Sequence, residues 1–347
     1  MRTPCSKLAI AIAGVIALLT GCSGGSEGTP PVTGINPSVR ANIKVPPCTV
    51  SQVKVWASSL TGLVYGLKAN GATCLTTNGS SSGMAFAAPY GLATDKNNDL
   101  YVADVNNARV VVFDSALNYL QTLNMIPGEQ PQAVCTSNYN GHLVVGVGDQ
   151  SSGGGTGDVE FFGGNPGGLT MVGQASGVLK TFSFCAFDGK GRFFADGVNL
   201  SGGVGLNIVY ETEQQTQMFS QSVTDSGCSQ PGEWAGMYVQ KGWVESLSVG
   251  FETSTYAQIQ NFQIYSTLSL NCVPTYTALN GYTLGSDPFY QAAPRGGANG
   301  HIYAANYGAN YIERAPVGGA GRLGGTATLW GAVPKPVGVA SRPDWQL

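Results

Sequence analysis

Apolar residues in this chain come in short runs separated by polar turns, and beyond residue 47 they show no 3.6-residue helical period. The most patterned stretch is PYGLATDKNNDLYVADVNNARVVVFD at 89–114. Its runs GLATD, DLYVAD and RVVVFD are rich in β-branched and aromatic residues, and polar turns at Lys96–Asn98 and Val105–Ala108 separate them. With YLQTL at 119–123 they predict four strands in about 40 residues, the size of one blade of a radial repeat.

Weaker copies follow from Pro131, from Phe182, from Ala235 and from Asp287. Taking Pro89, Pro131, Thr181, Met237, Pro288 and Pro336 as approximate starts, the period drifts between 42 and 56 residues. The last segment, PKPVGVASRPD at 334–344, matches only the opening strand of a unit, whereas 50–77 matches the other three. Joining the two ends predicts an all-β, six-bladed β-propeller of four-stranded antiparallel blades, closed by its N- and C-terminal strands.

The order P-x-G-L-A-T-D, L-Y-V-A-D, N-x-R-V and V-F-D resembles the NHL repeat, whose members form β-propellers, commonly with six blades. Ala108 stands where that family often carries histidine. The N-terminus has a different pattern. Arg2 and Lys7 precede an apolar run of 12 residues, Leu8 to Leu19, too short for the roughly 20 of a spanning helix and read as an export signal. It ends in LTGC, which resembles the lipobox of bacterial lipoproteins. That resemblance implies cleavage after residue 21 and a lipid on Cys22, and Ser23 implies the outer membrane in a didermic cell. Residues 22–47, rich in Gly, Pro and Ser, read as a flexible tether, leaving 48–347 as the propeller. The expected location is therefore the bacterial cell envelope, facing the periplasm and held to the membrane through the N-terminal lipid.

Loss of Arg2 and Lys7 with the signal changes the formal charge from −3 to −5. No cluster of Lys and Arg is present to neutralise phosphates, so nucleic acid is excluded as a partner. Six cysteines remain in the body, Cys48, Cys74, Cys135, Cys185, Cys228 and Cys272. An even count in an exported chain predicts up to three disulfides, and pairing of sequence neighbours is the favoured connectivity among fifteen. Without C-x-x-C and with two histidines, a zinc site is not expected.

Candidate chemistry falls into four groups. Asp104 matches Asn306, with Asp196 within one residue, where second strands turn into third strands; oxygen ligands there suit Ca²⁺, but capping of turns is favoured. Asn107 and Arg109 read the same way, as structural. His142 and His301 both follow Asn-Gly on the opposite rim and read as exposed turn residues too far apart to share a metal. The strings GGSEG at 24–28 and GSSSG at 79–83 fit a nucleophile elbow in letters only, since neither sits between a strand and a helix.

Enzymes among related propellers supply the competing reading. Gluconolactonase-like propellers hold a divalent metal on the axis with Glu, Asn and Asp, and near the blade starts here the carboxylates are Glu233 and Asp287. Aromatic residues gather at the same starts, among them Tyr90, Phe184, Trp234, Tyr238, Phe289 and Tyr290, either filling the wedges between blades or lining a funnel. The leading expectation is a non-catalytic binding module without a cofactor, for a protein, peptide or glycan. The alternative is a metal-dependent hydrolase or lyase, and a third reading is a structural envelope protein.

Overall fold

Runs of alternating pattern become strands throughout the computed structural model, which describes residues 48–139, 141–151, 155–187, 191–198, 204–212, 215–219, 233–240, 246–252, 257–264, 270–278, 292–295, 301–316 and 328–342. Among these residues the strands pair into six four-stranded antiparallel sheets. In chain order the second sheet is β4 (Pro89–Thr94), β5 (Leu100–Asp104), β6 (Arg109–Phe113) and β7 (Tyr119–Asn124). The third holds β8 (Glu129–Tyr139), β9 (His142–Ser151), β10 (Gly157–Gly163) and β11 (Thr170–Leu179). The fourth holds β12 (Thr181–Phe187), β13 (Arg192–Val198), β14 (Val204–Thr212) and β15 (Gln215–Phe219).

The fifth holds β16 (Glu233–Gln240), β17 (Ser246–Glu252), β18 (Ala257–Ile264) and β19 (Leu270–Ala278), and the sixth β20 (Ala292–Arg295), β21 (His301–Asn306), β22 (Tyr311–Pro316) and β23 (Thr328–Ala332). The fifth opening strand thus starts at Glu233, ahead of the expected Met237. The first sheet joins both ends of the body. Its order is β24 (Pro336–Ser341), β1 (Val55–Ser59), β2 (Leu63–Leu67) and β3 (Thr73–Thr77), with Val55 opposite Ser341 and Ser59 opposite Pro336. Arg342 extends the junction by donating its N–H to the Lys54 carbonyl at 3.0 Å and its guanidinium to the Val50 carbonyl at 3.0 Å.

The sheets stack face to face, which explains why strands such as LYVAD and RVVVF are buried at every position. Alternation still operates, but both faces meet protein. Leu100, Val102, Val111 and Phe113 pack toward the first sheet with Trp56, Val53 and Val64. Tyr101, Ala103, Val110 and Val112 pack toward the third with Val145, Val147 and Phe162. Burying each Val, Leu or Phe side chain among them is worth about 1.5–3 kcal/mol, so these wedges dominate the cohesion of neighbouring sheets.

Opening strands also touch in sequence: β24 lies beside β4, β4 beside β8, β8 beside β12, β12 beside β16, β16 beside β20, and β20 beside β24. Hydrogen bonds staple part of this series, from Thr94 Oγ1 to the Ser341 carbonyl at 2.7 Å and from Thr136 Oγ1 to the Thr94 carbonyl at 2.8 Å. Covalent bonds add two more ties. Cys48–Cys74 fixes the start of the body to β3, and Cys135–Cys185 joins β8 to β12 of the next sheet, both as neighbour pairing predicts. Of the third expected pair, Cys272 lies on β19 and Cys228 lies outside the described residues, as does Cys22.

Candidate functional site

Opening strands begin, and second strands end, on the same rim, here called the upper rim. Five of the six opening strands carry a register shift near their start, between Pro89 and Leu92, Pro131 and Ala133, Phe182 and Phe184, Trp234 and Gly236, and at Pro336 opposite Ser59. Such bulges re-aim side chains locally. They also give a strict alignment. Asp104 lies opposite Pro89, Asp149 opposite Pro131, Gly197 opposite Phe182, Phe251 opposite Trp234 and Ser59 opposite Pro336. Asn306 ends β21 opposite Tyr311, as Asp104 ends β5 opposite Arg109.

At Asp104 this position works as a latch. The carboxylate is fully buried; Oδ1 accepts the N–H groups of Ala87 and Ala88 at 2.9 and 3.1 Å, and Oδ2 accepts Asn107 Nδ2 at 2.6 Å and Arg109 Nε at 3.0 Å. Arg109, 5% exposed, reaches on to Ser82 Oγ at 3.1 Å and the Met84 carbonyl at 2.7 Å. The segment leading from the first sheet into β4 is therefore held down by the second sheet's own charges. Turn-forming is the role expected for Asp104, and the geometry extends it: the backbone N–H groups it accepts belong to the preceding segment, and its own turn contributes the Asn107 side-chain amide.

Asn306 is buried as well, with Oδ1 accepting the Ala309 N–H at 2.9 Å and Nδ2 donating to Glu313 Oε1. Asp196 lies one residue from the strict match, within the distance expected. It pairs with Phe184 and Leu206 inside the ladder, and Gly197 holds the Asp104 position, because the bulge displaces the count by one residue. Asp149 and Glu160, both fully buried, were not evident as a site in the sequence. Asp149 follows VVGVG as Asp104 follows YVA, a likeness visible only once the bulges are aligned.

Toward the axis, Tyr90 is half-buried on β4 and stacks on Phe184 of β12, ring centroids 6.3 Å apart and planes 17° apart. These strands belong to the second and fourth sheets, so the rings meet across β8 rather than in a wedge between neighbours. Gln132, in the bulge of β8, donates its amide to Gln150 Oε1. Tyr90 thus offers an aromatic face on β4, and the neighbouring β8 carries this amide pair, chemistry suited to sugar rings and peptide groups. Glu233 and Trp234 open β16 on the same rim by register, whereas Asp287 and Phe289 lie outside the described residues.

The opposite rim is built of turns. His142 is exposed at the start of β9, and His301 takes the matching place on β21. GSSSG at 79–83, back on the upper rim beside Arg109, forms a three-residue 3-10 turn, with Ser82 Oγ donating to the Gly79 carbonyl at 2.8 Å; it is not an elbow. Asp95 Oδ1 accepts the N–H groups of Asn97 and Asp99, and Oδ2 accepts the Tyr101 hydroxyl at 3.2 Å. Among the described residues no group of three or more His, Cys, Asp or Glu is arranged to hold a metal ion.

Asp99, next to Asp95, has its carboxyl pushed up to about 6, first by burial and then by the Asp95 charge. A carboxyl raised in the folded state favours folding below its unfolded value, and that contribution is lost as pH rises through about 6. Asp99→Asn keeps an oxygen for the Ser115 N–H and cannot ionise. It is expected to raise stability by on the order of 1 kcal/mol at pH 8 and to change little at pH 4, as read from urea unfolding at both pH values.

The NHL repeat family matches residues 86–113, the second sheet's first three strands with the segment before them. No curated protein matches the chain. Among solved structures, the WD40 repeats of RRP9 align at a TM-score of 0.54 with 8% identity, over 86% of this chain and 83% of that one. The periplasmic gluconolactonase of Pseudomonas aeruginosa aligns at 0.50 with 12% identity, over 83% and 98%. A functionally unknown protein from Desulfotomaculum acetoxidans aligns at 0.52 with 12% identity, over 84% and 88%. At these identities the likeness concerns the fold. Sheets of four antiparallel strands, their stacking and the matched repeat agree: the chain is a β-propeller that carries an NHL repeat.

Proposed function

We propose that this is a lipid-anchored cell-envelope propeller, closed as one six-bladed ring, that binds a protein, peptide or glycan at its upper rim without catalysing a reaction. The observation that carries the reading is a division of labour on that rim. Its ionic pair, Asp104 with Arg109, holds the chain's own segment 82–88, while Tyr90 presents a partly open aromatic face beside the axis. Pairing of β24 with β1 and the contact of β20 with β24 support closure. The export signal and LTGC at 19–22 support the anchor.

Two experiments test the parts separately. A photoreactive phenylalanine at position 90, expressed in the native cell, is expected to give a discrete adduct that the same residue at position 142 does not. Equal labelling from both rims, or none from position 90, contradicts a ligand face there. Cys22→Ser is expected to free the protein from the membrane and remove the lipid mass; unchanged mass and membrane retention contradict the anchor.

A second reading, a metal-dependent hydrolase or lyase like the gluconolactonases, is favoured by one placement. Glu233 opens β16 on the upper rim, at an opening strand as such a site requires. In that reading Glu233 and Asp287, with an unidentified amide, would hold a divalent ion, Ca²⁺ included, whose chemistry when bound would be Lewis-acid polarisation of a substrate carbonyl.

A further inference from the structure

The latch position differs among sheets in what partners it. In the second sheet Asp104 is neutralised by Arg109, and in the sixth the Asn306 amide donates to Glu313. In the third sheet the matching residues are Asp149 and Glu160. Val147 pairs with Glu160 as Ala304 pairs with Glu313, and Asp149 and Asn306 each stand two residues further on. Two carboxyls therefore occupy the place that in the sixth sheet holds an amide with a carboxyl; in the second sheet that place holds Asp104 with Val111, and the cation, Arg109, stands directly opposite Asp104. Both are fully buried, and the register makes them diagonal neighbours on adjacent strands, with both Asp149 oxygens and Glu160 Oε2 accepting no hydrogen bond. Two carboxylates have no hydrogen to share, but an acid and a carboxylate do.

We propose that Asp149 and Glu160 share one proton in the native state and form a pH-operated latch on the segment that joins the second sheet to the third. The link to that segment is direct: Glu160 Oε1 accepts the Ile126 N–H at 2.9 Å, as Asp104 accepts those of Ala87 and Ala88. Burial, and then the neighbouring carboxylate, raises the Asp149 carboxyl well above its ordinary range, and burial raises Glu160. The other charges acting on Asp149 are Glu129 of β8 and Asp158 of β10, both carboxyls. Asp158 is itself held by Gln174, Ser176 and the Gly177 N–H. Strands β4, β7, β11 and β12 contribute no Asp, Glu, Lys, Arg or His, and Arg109 of β6 is engaged with Asp104.

As pH rises the shared proton leaves, two anions face each other in a dry site, and the hold on Ile126 weakens. The sixth sheet supplies the control. Asp149→Asn recreates the amide–carboxylate pair of Asn306 and Glu313, and Glu160→Gln retains an oxygen for Ile126 while donating to Asp149.

Hydrogen exchange of the Ile126 amide in the full-length protein, corrected for the intrinsic rate, reads the latch. Opening of the native protein is expected to rise at least about tenfold between pH 5 and pH 8, one proton's worth over a shift of one unit. In either variant the rise should stay below about twofold. Parallel pH profiles in native and variant proteins would overturn the proposal. So would recovery of protection at pH 8 on adding Ca²⁺, with one ion bound per chain and none in Asp149→Asn, because the pair would then be a cation site.

Discussion

Replacing Asp104 by alanine is expected to lower the stability of the propeller by about 3–5 kcal/mol, the usual cost of stranding a buried charge. The variant leaves the Arg109 guanidinium, 5% exposed, without its anion. It also leaves the N–H groups of Ala87 and Ala88 and the Asn107 amide short of an acceptor. Asp104→Asn should cost less, since one oxygen still accepts the two amides. Adding Arg109→Met to Asp104→Ala should restore part of the loss by removing the stranded cation. Chemical unfolding of the three variants checks this, and a loss under about 1 kcal/mol in Asp104→Ala would show that the latch is ornamental.

The second large effect is expected at the bond between β8 and β12. Cys135 and Cys185 are 50 residues apart, and closing a loop of that length restricts the unfolded chain by about 4 kcal/mol on the entropic account. Replacing both by alanine should therefore lower stability by about 2–4 kcal/mol. Cys185 packs with Phe182, Phe193 and Phe161 in the wedge between third and fourth sheets, so alanine leaves little void there. The paired variant separates the cross-link from packing: reductant should lower the unfolding midpoint of the native protein by more than that of the variant. Equal responses to reductant would assign the stability to the wedge and to Cys48–Cys74 instead.

Much of this architecture is legible in the residues. The run from Pro89 to Leu123 carries four strands and their turns in order, and PVGVAS at the C-terminus carries the missing partner of β1. The reason is local: β-branched residues, Asn and Asp turns and a period of two act over a few positions. The upper rim is less legible because bulges add residues that strand patterns do not announce. Asp196 aligns with Asp104 only to within that one residue, and Asp149 is missed for the same reason.

Roles that depend on tertiary placement are harder still. Arg109 reads as structural, but that it reaches the carbonyl of Met84 follows only from how the first sheet's exit segment crosses the second. Tyr90 and Phe184 are both visible as aromatics at strand starts, yet their stacking across β8 depends on the arrangement of three sheets.

Binding without catalysis has a direct readout in turnover. The purified body is assayed against lactones, esters and peptide amides with Ca²⁺ or Zn²⁺, beside its Glu233→Gln variant. A binding propeller shows no turnover above the uncatalysed rate and no difference between the two proteins. Metal-dependent hydrolysis by the native protein that disappears in Glu233→Gln would contradict it.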